Sequence, residues 1–232
     1  MTRQGPGSEA RVIAIDGPSG TGKSSVAREV ARRLGAGYLD TGAMYRALTL
    51  AVLADGIEPA DVDAVVHRAE GLIIEIDADP EIDNVSADGQ DVTQAIRSPE
   101  VTAAVSAVSA IPAVRRRLVQ AQRELAEGTT MVVVEGRDIG TVVFPVARLK
   151  IYLTAAPSAR AARRAQQLGI IEPDEIAALA ESMRARDESD SSRSESPLRP
   201  AADAVVVDST DLSRDDVVEA ILTAVTARAR FV

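Results

Sequence analysis

The chain has 232 residues, enough for one substantial core with a small inserted lobe, and 46% of them are apolar although only three Tyr, two Phe and no Trp supply aromatic area. Cysteine is absent, which excludes disulfides, thiolate metal sites and cysteine nucleophiles, and no run of about twenty apolar residues is present to span a bilayer. A net charge of −9 argues against a broad footprint for DNA or RNA, but arginines gathered in one cleft can still hold a small anion. A cytoplasmic protein without nucleic-acid or membrane partners is the expectation.

Residues 1–10, "MTRQGPGSEA", read as a flexible tail. "VIAID" is an apolar strand ending at glycine, and 24–34 has helical spacing through Val26, Val30 and Leu34. "GYLD" is a brief strand, followed by a helix for which Thr41 is the expected N-cap. Another helix is expected over 59–69. The texture then changes, because "LIIEID" and "NVSADGQDV" alternate and turn as strands and hairpins do. Helix returns from "SPEVTAAV" to "RELAEG", interrupted near Pro112. "TMVVVEG" and "LKIYLTA" are continuous apolar runs of the kind buried in parallel sheets. A long helical region rich in arginine and glutamate fills 158–187, and its charge predicts a mobile cover rather than core. "DAVVVDST" is a last strand, and 215–230 a closing helix. Alternating strands and helices imply an α/β fold with a parallel sheet flanked by helices. Residues 71–105 break that rhythm and are expected to form an inserted lobe.

Gly17, Gly22, Lys23 and Ser24 satisfy the pattern G-x-x-x-x-G-K-[ST] between a strand and a helix. Glycines let backbone N–H groups converge on phosphate oxygens, which side chains would obstruct. Lys23 reaches the β- and γ-phosphates, the Ser24 hydroxyl suits Mg²⁺, and the helix that follows points its positive end at the anion. The whole loop, Gly17, Pro18, Ser19, Gly20, Thr21, Gly22, Lys23, Ser24 and Ser25, is assigned to ATP.

What receives the phosphate is argued from residue inventory. A guanine-nucleotide switch carries Asn-Lys-x-Asp, but the one asparagine here is Asn84 in "DNVSAD". A mechanical ATPase has an apolar strand ending in acid for metal and water. "MVVVEGRD" is the nearest candidate, and it runs into Arg137 and Asp138 as a substrate site would. Transfer to an alcohol benefits from a base. Transfer to a phosphate monoester does not, because that oxygen is already anionic at pH 7. The single histidine, His67, lies on an expected surface helix outside every motif, whereas arginine recurs in "MYR", "AVRRR", "EGRD", "RAARR" and "RARDESDSSR". Arginine's planar fork suits phosphate, so a nucleoside monophosphate fits as acceptor. A kinase of another small acceptor (UMP, AMP or an alcohol) and a nucleotide-dependent binding module are the alternatives.

Taken together, "IDGPSGTGKSS", "YLDTGAMYR", "EVTAAVSAVSAIPAVRRRL", "VEGRDIGTVVFP", "RAARRAQQLG", "RDESDSSR" and "PLRPAADAVVVDST" resemble the bacterial cytidylate kinases over nearly all of the chain after residue 10. The resemblance implies a phosphate-loop kinase core (11–70, 106–156 and 188–232), a monophosphate-binding lobe (71–105) and a short lid (157–187). It implies ATP with Mg²⁺ as donor, CMP or dCMP as acceptor, and a monomer. By the same resemblance Thr41 and Arg46 hold the acceptor, with Arg46 on its phosphate. Ser106, Arg115 and Asp138 read the cytosine edge, while Arg116 and Arg117 are solvated helix charge. Arg137 binds the acceptor phosphate and the transferred group, and Arg186, Asp190 and Arg193 lie near the acceptor. Arg186 and Asp190, four apart, are expected to share a helix face. Arg160 and Arg164 are the lid's catalytic arginines, with Arg163 a weaker candidate. The carboxylate that supports magnesium stays open among Asp16, Asp40 and Glu135.

Overall fold

The computed structural model describes residues 11–229, so the expected tail 1–10 lies outside the described residues. In chain order the strands are β1 (Val12–Asp16), β2 (Gly37–Asp40), β3 (Ile74–Ile76), β4 (Val85–Ala87), β5 (Gln90–Asp91), β6 (Val132–Gly136), β7 (Leu149–Thr154) and β8 (Val205–Asp208). The helices are α1 (Lys23–Leu34), α2 (Thr41–Ala54), α3 (Val62–Gly71), α4 (Pro99–Ala110), α5 (Pro112–Glu127), α6 (Pro157–Leu168), α7 (Pro173–Ser192) and α8 (Arg214–Ala229).

A five-stranded sheet runs β2-β6-β1-β7-β8, with every pairing parallel. The central strands are buried on both faces, which is why their sequences do not alternate. On one face Ile13, Ile15 and Ile151 pack against Val26 and Val30 of α1 and Val218 and Ile221 of α8. On the other, Ala14, Val132 and Val134 meet Val119 of α5, Ile139 and Phe144. A second core joins α2 to α5 through Met44, Leu48, Val65, Val108 and Val114. Small β-branched and alanine side chains thus provide the packing that aromatics supply elsewhere.

The inserted stretch carries the antiparallel sheet β3-β4-β5. Helix α4 begins inside residues 71–105 and continues to Ala110, so that interval does not end at an element boundary. The break at Pro112 is where expected. Ile111 is extended (φ −70, ψ 119), as a residue before proline must be, and Pro112 opens α5 without needing an N–H partner.

Two local expectations need correction. The cap of α2 is Asp40, whose carboxylate accepts from Ala43 N at 3.2 Å, while the Thr41 hydroxyl donates to the Glu135 carbonyl at 2.7 Å. The charged segment after β7 is also more than a solvated cover. Ala161, Ala165 and Met183 are buried where α6 and α7 pack, and Arg160 is only 9% exposed.

Candidate active site

Parallel sheets bind ligands beyond the carboxyl ends of their strands, and β1, β2 and β6 all end at one cleft of about 750 Å³. The phosphate loop forms one wall. Gly17 (φ +152) has no room for a side chain, since a Cβ there would sit 2.0 Å from the Leu153 carbonyl oxygen. Lys23 is buried and donates from Nζ to the Pro18 carbonyl at 2.7 Å. Burial pushes its pKa down, Arg137 adds to that, and Glu135 opposes it. Ser24 and Ser25 stand exposed on the first turn of α1 and line the cleft, whereas Thr21 is buried with its hydroxyl on Pro18 O at 3.2 Å.

Ser19 commits all three of its polar atoms outside the loop. Its N–H donates to Asp187 at 3.2 Å, its carbonyl accepts from Arg160 at 3.0 Å, and its hydroxyl accepts from Arg137 at 3.1 Å. Asp187 also pairs with Arg160. Beside it Gly20 (φ +75) would place a Cβ 2.6 Å from Met183 Cε, so α6 and α7 seat directly on the loop.

The opposite wall is built from arginines and carboxylates. Arg115 Nη2 donates to Asp138 Oδ2 at 2.6 Å, both side chains being at most 5% exposed, and its guanidinium lies 5.2 Å from the Tyr45 ring centroid. Arg137 reaches Asp190 through Nε at 3.0 Å and the Gly17 carbonyl through Nη1 at 2.8 Å. Arg193 donates to Asp190 at 2.5 Å and to the Ser109 hydroxyl at 2.9 Å. Arg46 donates to Thr102 Oγ1 at 2.9 Å. Arg186, by contrast, makes no hydrogen bond or ion pair with the described residues, and its Nε is buried without a partner. Burial first, then the charges of Arg137 and Arg46, push its pKa down to about 10. Arg46 is lowered for the same leading reason.

The cleft gathers most of the residues singled out in the sequence: Thr41, Arg46, Ser106, Arg115, Arg137, Asp138, Arg164, Arg186, Asp190 and Arg193 all line it with Ser19, Gly20, Gly22, Lys23 and Ser24. Arg160 is not on its lining and clamps the loop from behind. Arg163 donates to the Ser209 and Thr210 carbonyls and to Ser209 Oγ at 3.0 Å, away from the lining. Asp190 faces Arg137 and Arg193 rather than the helical neighbour Arg186, because both of its oxygens are engaged by those two groups. His67 is exposed, as expected; Arg116 is exposed but pairs with Glu195 at 3.2 Å, and Arg117 is half-buried rather than fully solvated. Three contributors were missed. Ser109 follows Ser106 by one helical turn, and that spacing was a usable signal. Thr102 and Asp187 carry no comparable local signal, because their partners come from distant segments.

A buried carboxylate completes the centre. Glu135 accepts from the Tyr38 hydroxyl and lines the cleft beside Ser24 and Asp40. Burial raises its pKa, the Asp40 charge raises it further, and Lys23 draws it back. Asp16 is different, since it is absent from the lining and both of its oxygens accept backbone N–H groups at 2.8 Å. Among the described residues no group of three or more His, Cys, Asp or Glu is placed to hold a metal by itself.

A parallel sheet, a glycine loop opening a helix, a helix pair packed on that loop and an arginine-lined facing wall define the phosphate-loop kinase fold. The family model for cytidylate kinase matches residues 13–227, and the chain belongs to that family. Cytidylate kinases of Rhodococcus opacus (strain B4) and Mycobacterium avium (strain 104) are 55% and 56% identical to it. Those matches cover 94% and 90% of this chain and 96% and 92% of theirs. The solved structure of an uncharacterized protein from Eubacterium ventriosum ATCC 27560 shares the fold, with a TM-score of 0.50 at 12% identity over 93% of this chain and 98% of that one.

Proposed function

We propose that this chain transfers the γ-phosphoryl group of ATP to CMP or dCMP, giving ADP and CDP or dCDP. The observation that carries the reading is the unpartnered guanidinium of Arg186 beside Arg46 and Arg137, facing the phosphate loop across one cleft. Half-buried like charges in one cleft repel unless an anion joins them, and a dianionic phosphate monoester supplies that anion. Such an acceptor needs no general base, so positioning and positive charge are the required catalytic means.

We divide the roles between the two walls, a division that family membership and the geometry of the cleft support. Gly17 to Ser25 hold the ATP phosphates, and Lys23 stabilises charge on the transferring group. Arg46, Arg137 and Arg186 fix the acceptor phosphate in line with it. The Arg115–Asp138 pair, with Ser106 nearby, reads the cytosine edge, Asp138 accepting from the exocyclic amine that uracil lacks. Asp190, held by Arg137 and Arg193, faces the ribose hydroxyls, and Thr41 packs the acceptor against β6. Residues 71–105 serve as the acceptor-binding lobe and 157–187 as the lid, with Arg164 on its inner face and Arg160 anchoring it. Closure over ATP excludes water.

Mg²⁺ fits the oxygen set of the donor side. The Ser24 hydroxyl and the Glu135 carboxylate line the cleft, and Glu135 carries a raised pKa that a nearby cation relieves. When bound there, Mg²⁺ would supply positive charge that offsets the charge of the ATP phosphates. Asp40 is partly spent as a helix cap, and Asp16 is buried outside the lining, so Glu135 is the carboxylate we assign to this role. No helix of the described residues is long and apolar enough to cross a membrane, and we take the enzyme to act as a cytoplasmic monomer.

The test is ADP release from ATP and Mg²⁺ with CMP, dCMP, UMP, AMP or no acceptor. Strong stimulation by the two cytidine nucleotides is the expected result. ATP hydrolysis indifferent to every monophosphate would contradict the reading.

A further inference from the structure

Asp138 opens a short π-helix, Ile139–Val143, and its carbonyl accepts from Val142 N at 2.8 Å and Val143 N at 3.2 Å. An aspartate in that place ordinarily turns its own carboxylate onto the unsatisfied N–H groups of the first turn. Here it does not, and its side chain caps nothing. The N–H groups of Ile139 and Gly140 instead donate to Oδ1 and Oδ2 of Asp16, each at 2.8 Å. The parallel register makes this possible, since Asp16 pairs with Gly136 and so stands beside the turn that follows β6. Asp138 is thereby left free to project toward Arg115, 2.6 Å away.

The turn itself has no slack. Ile139 is fully buried, a Cβ on Gly136 would lie 2.6 Å from Thr41 Oγ1, and one on Gly140 would lie 3.1 Å from Lys150. We infer that Asp16 is a specificity-positioning residue, which caps the π-helix in place of Asp138 and so keeps the Asp138 carboxylate available to read the acceptor's base. The inference rests on the proposed role of Asp138. It reassigns Asp16, which stands next to the phosphate loop in sequence, from the donor to the acceptor.

Asp16→Ala frees both N–H groups, and Asp138, which occupies the cap position, can then turn its own carboxylate onto them. The turn then caps itself at the expense of the Arg115 contact. The ratio of kcat/KM for CMP to that for UMP is the readout, with KM for ATP measured alongside. The ratio is expected to fall to within about threefold of that of Asp138→Ala, with KM for ATP changed less than about threefold. Combining the two substitutions should lower the ratio by less than about twofold beyond Asp138→Ala alone. Asp16→Asn keeps one acceptor and should give an intermediate ratio, and it carries the test if the alanine variant does not fold. A folded Asp16 variant with wild-type selectivity, or full additivity in the double variant, overturns the inference. A wild-type enzyme that does not distinguish CMP from UMP overturns the role of Asp138 first, and this inference with it.

Discussion

The two walls of the cleft achieve positive character by different means. The wall we propose for the donor is one stretch of chain, Gly17 to Ser25, offering backbone amides and the N-terminus of α1 with a single buried lysine. The wall we propose for the acceptor collects side chains from α2, α4, α5, the turn after β6 and α7, and fixes five of them as ion pairs: Arg115 with Asp138, and Arg137 and Arg193 with Asp190. Arg46 rests on the neutral oxygens of Thr102 and Ile96, and the side chain of Arg186 has no hydrogen-bond or ion-pair partner among the described residues. The loop wall thus draws on local backbone, while the facing wall is prearranged around two carboxylates, Asp190 with both oxygens held by arginine and Asp138 with one.

Substitutions that break this contrast have effects of different size and sign. Lys23→Met, on the donor wall, should lower kcat by about 10²–10³ while leaving CMP binding intact, to be checked by steady-state kinetics and by equilibrium binding of CMP. On the acceptor wall, Arg115→Ala strands Asp138 as an uncompensated buried charge, and a loss of about 3–5 kcal/mol in denaturant unfolding should accompany the lost activity. Arg186→Met should separate the two properties. Its kcat/KM for CMP should fall by about 10², yet its melting temperature should be equal to or above wild type, because no ion pair is broken and a half-buried cation repelled by Arg137 and Arg46 is removed.

The pH dependence of stability sharpens the picture of Asp16. Burial leads a rise of its pKa to about 6, opposed by its two backbone hydrogen bonds, from an ordinary value of 3.8. A carboxyl whose pKa is raised on folding holds its proton longer in the folded state, so its contribution is most favourable below about pH 4 and is lost as pH rises through 6. This corresponds to on the order of 3 kcal/mol, and unfolding midpoints of wild type and Asp16→Asn between pH 4 and 7 should differ in slope accordingly. The smallest effect belongs to the clamp between the loop and the α6–α7 pair that we propose as a lid. Asp187→Asn weakens the links to Ser19 and Arg160, and about a tenfold loss of transfer, with more ATP hydrolysed in the absence of acceptor, is the expected result of a lid that seats less well.

What was legible in the sequence follows the same division. The phosphate loop could be read because its chemistry is local: glycine where Leu153 O approaches, lysine, serine, then a helix. The parallel sheet could be read because strands buried on both faces leave uninterrupted apolar runs such as "VIAID" and "MVVVEG". The acceptor residues were reached through family resemblance, and the structure brings them to one cleft, but their partners were not legible. Asp190 was expected between Arg186 and Arg193, yet Arg137 takes the place of Arg186 across 53 residues of chain. Thr41 was expected to cap α2, but the adjacent Asp40 is a stronger acceptor and leaves the hydroxyl for Glu135. Asp187 reaches Ser19 across 168 residues, and Asp16 caps a turn 123 residues away, pairings that no helical or strand period encodes.

The most direct measurement is competition: equal CMP and UMP, limiting ATP and Mg²⁺, and the diphosphate products separated by chromatography. The product ratio reports the ratio of kcat/KM values and depends on both walls at once. CDP in large excess over UDP, with the excess lost in Asp138→Ala, is the predicted result. Equal amounts of the two products from the wild-type enzyme would contradict the acceptor assignment, and the absence of either diphosphate would contradict phosphoryl transfer to pyrimidine monophosphates altogether.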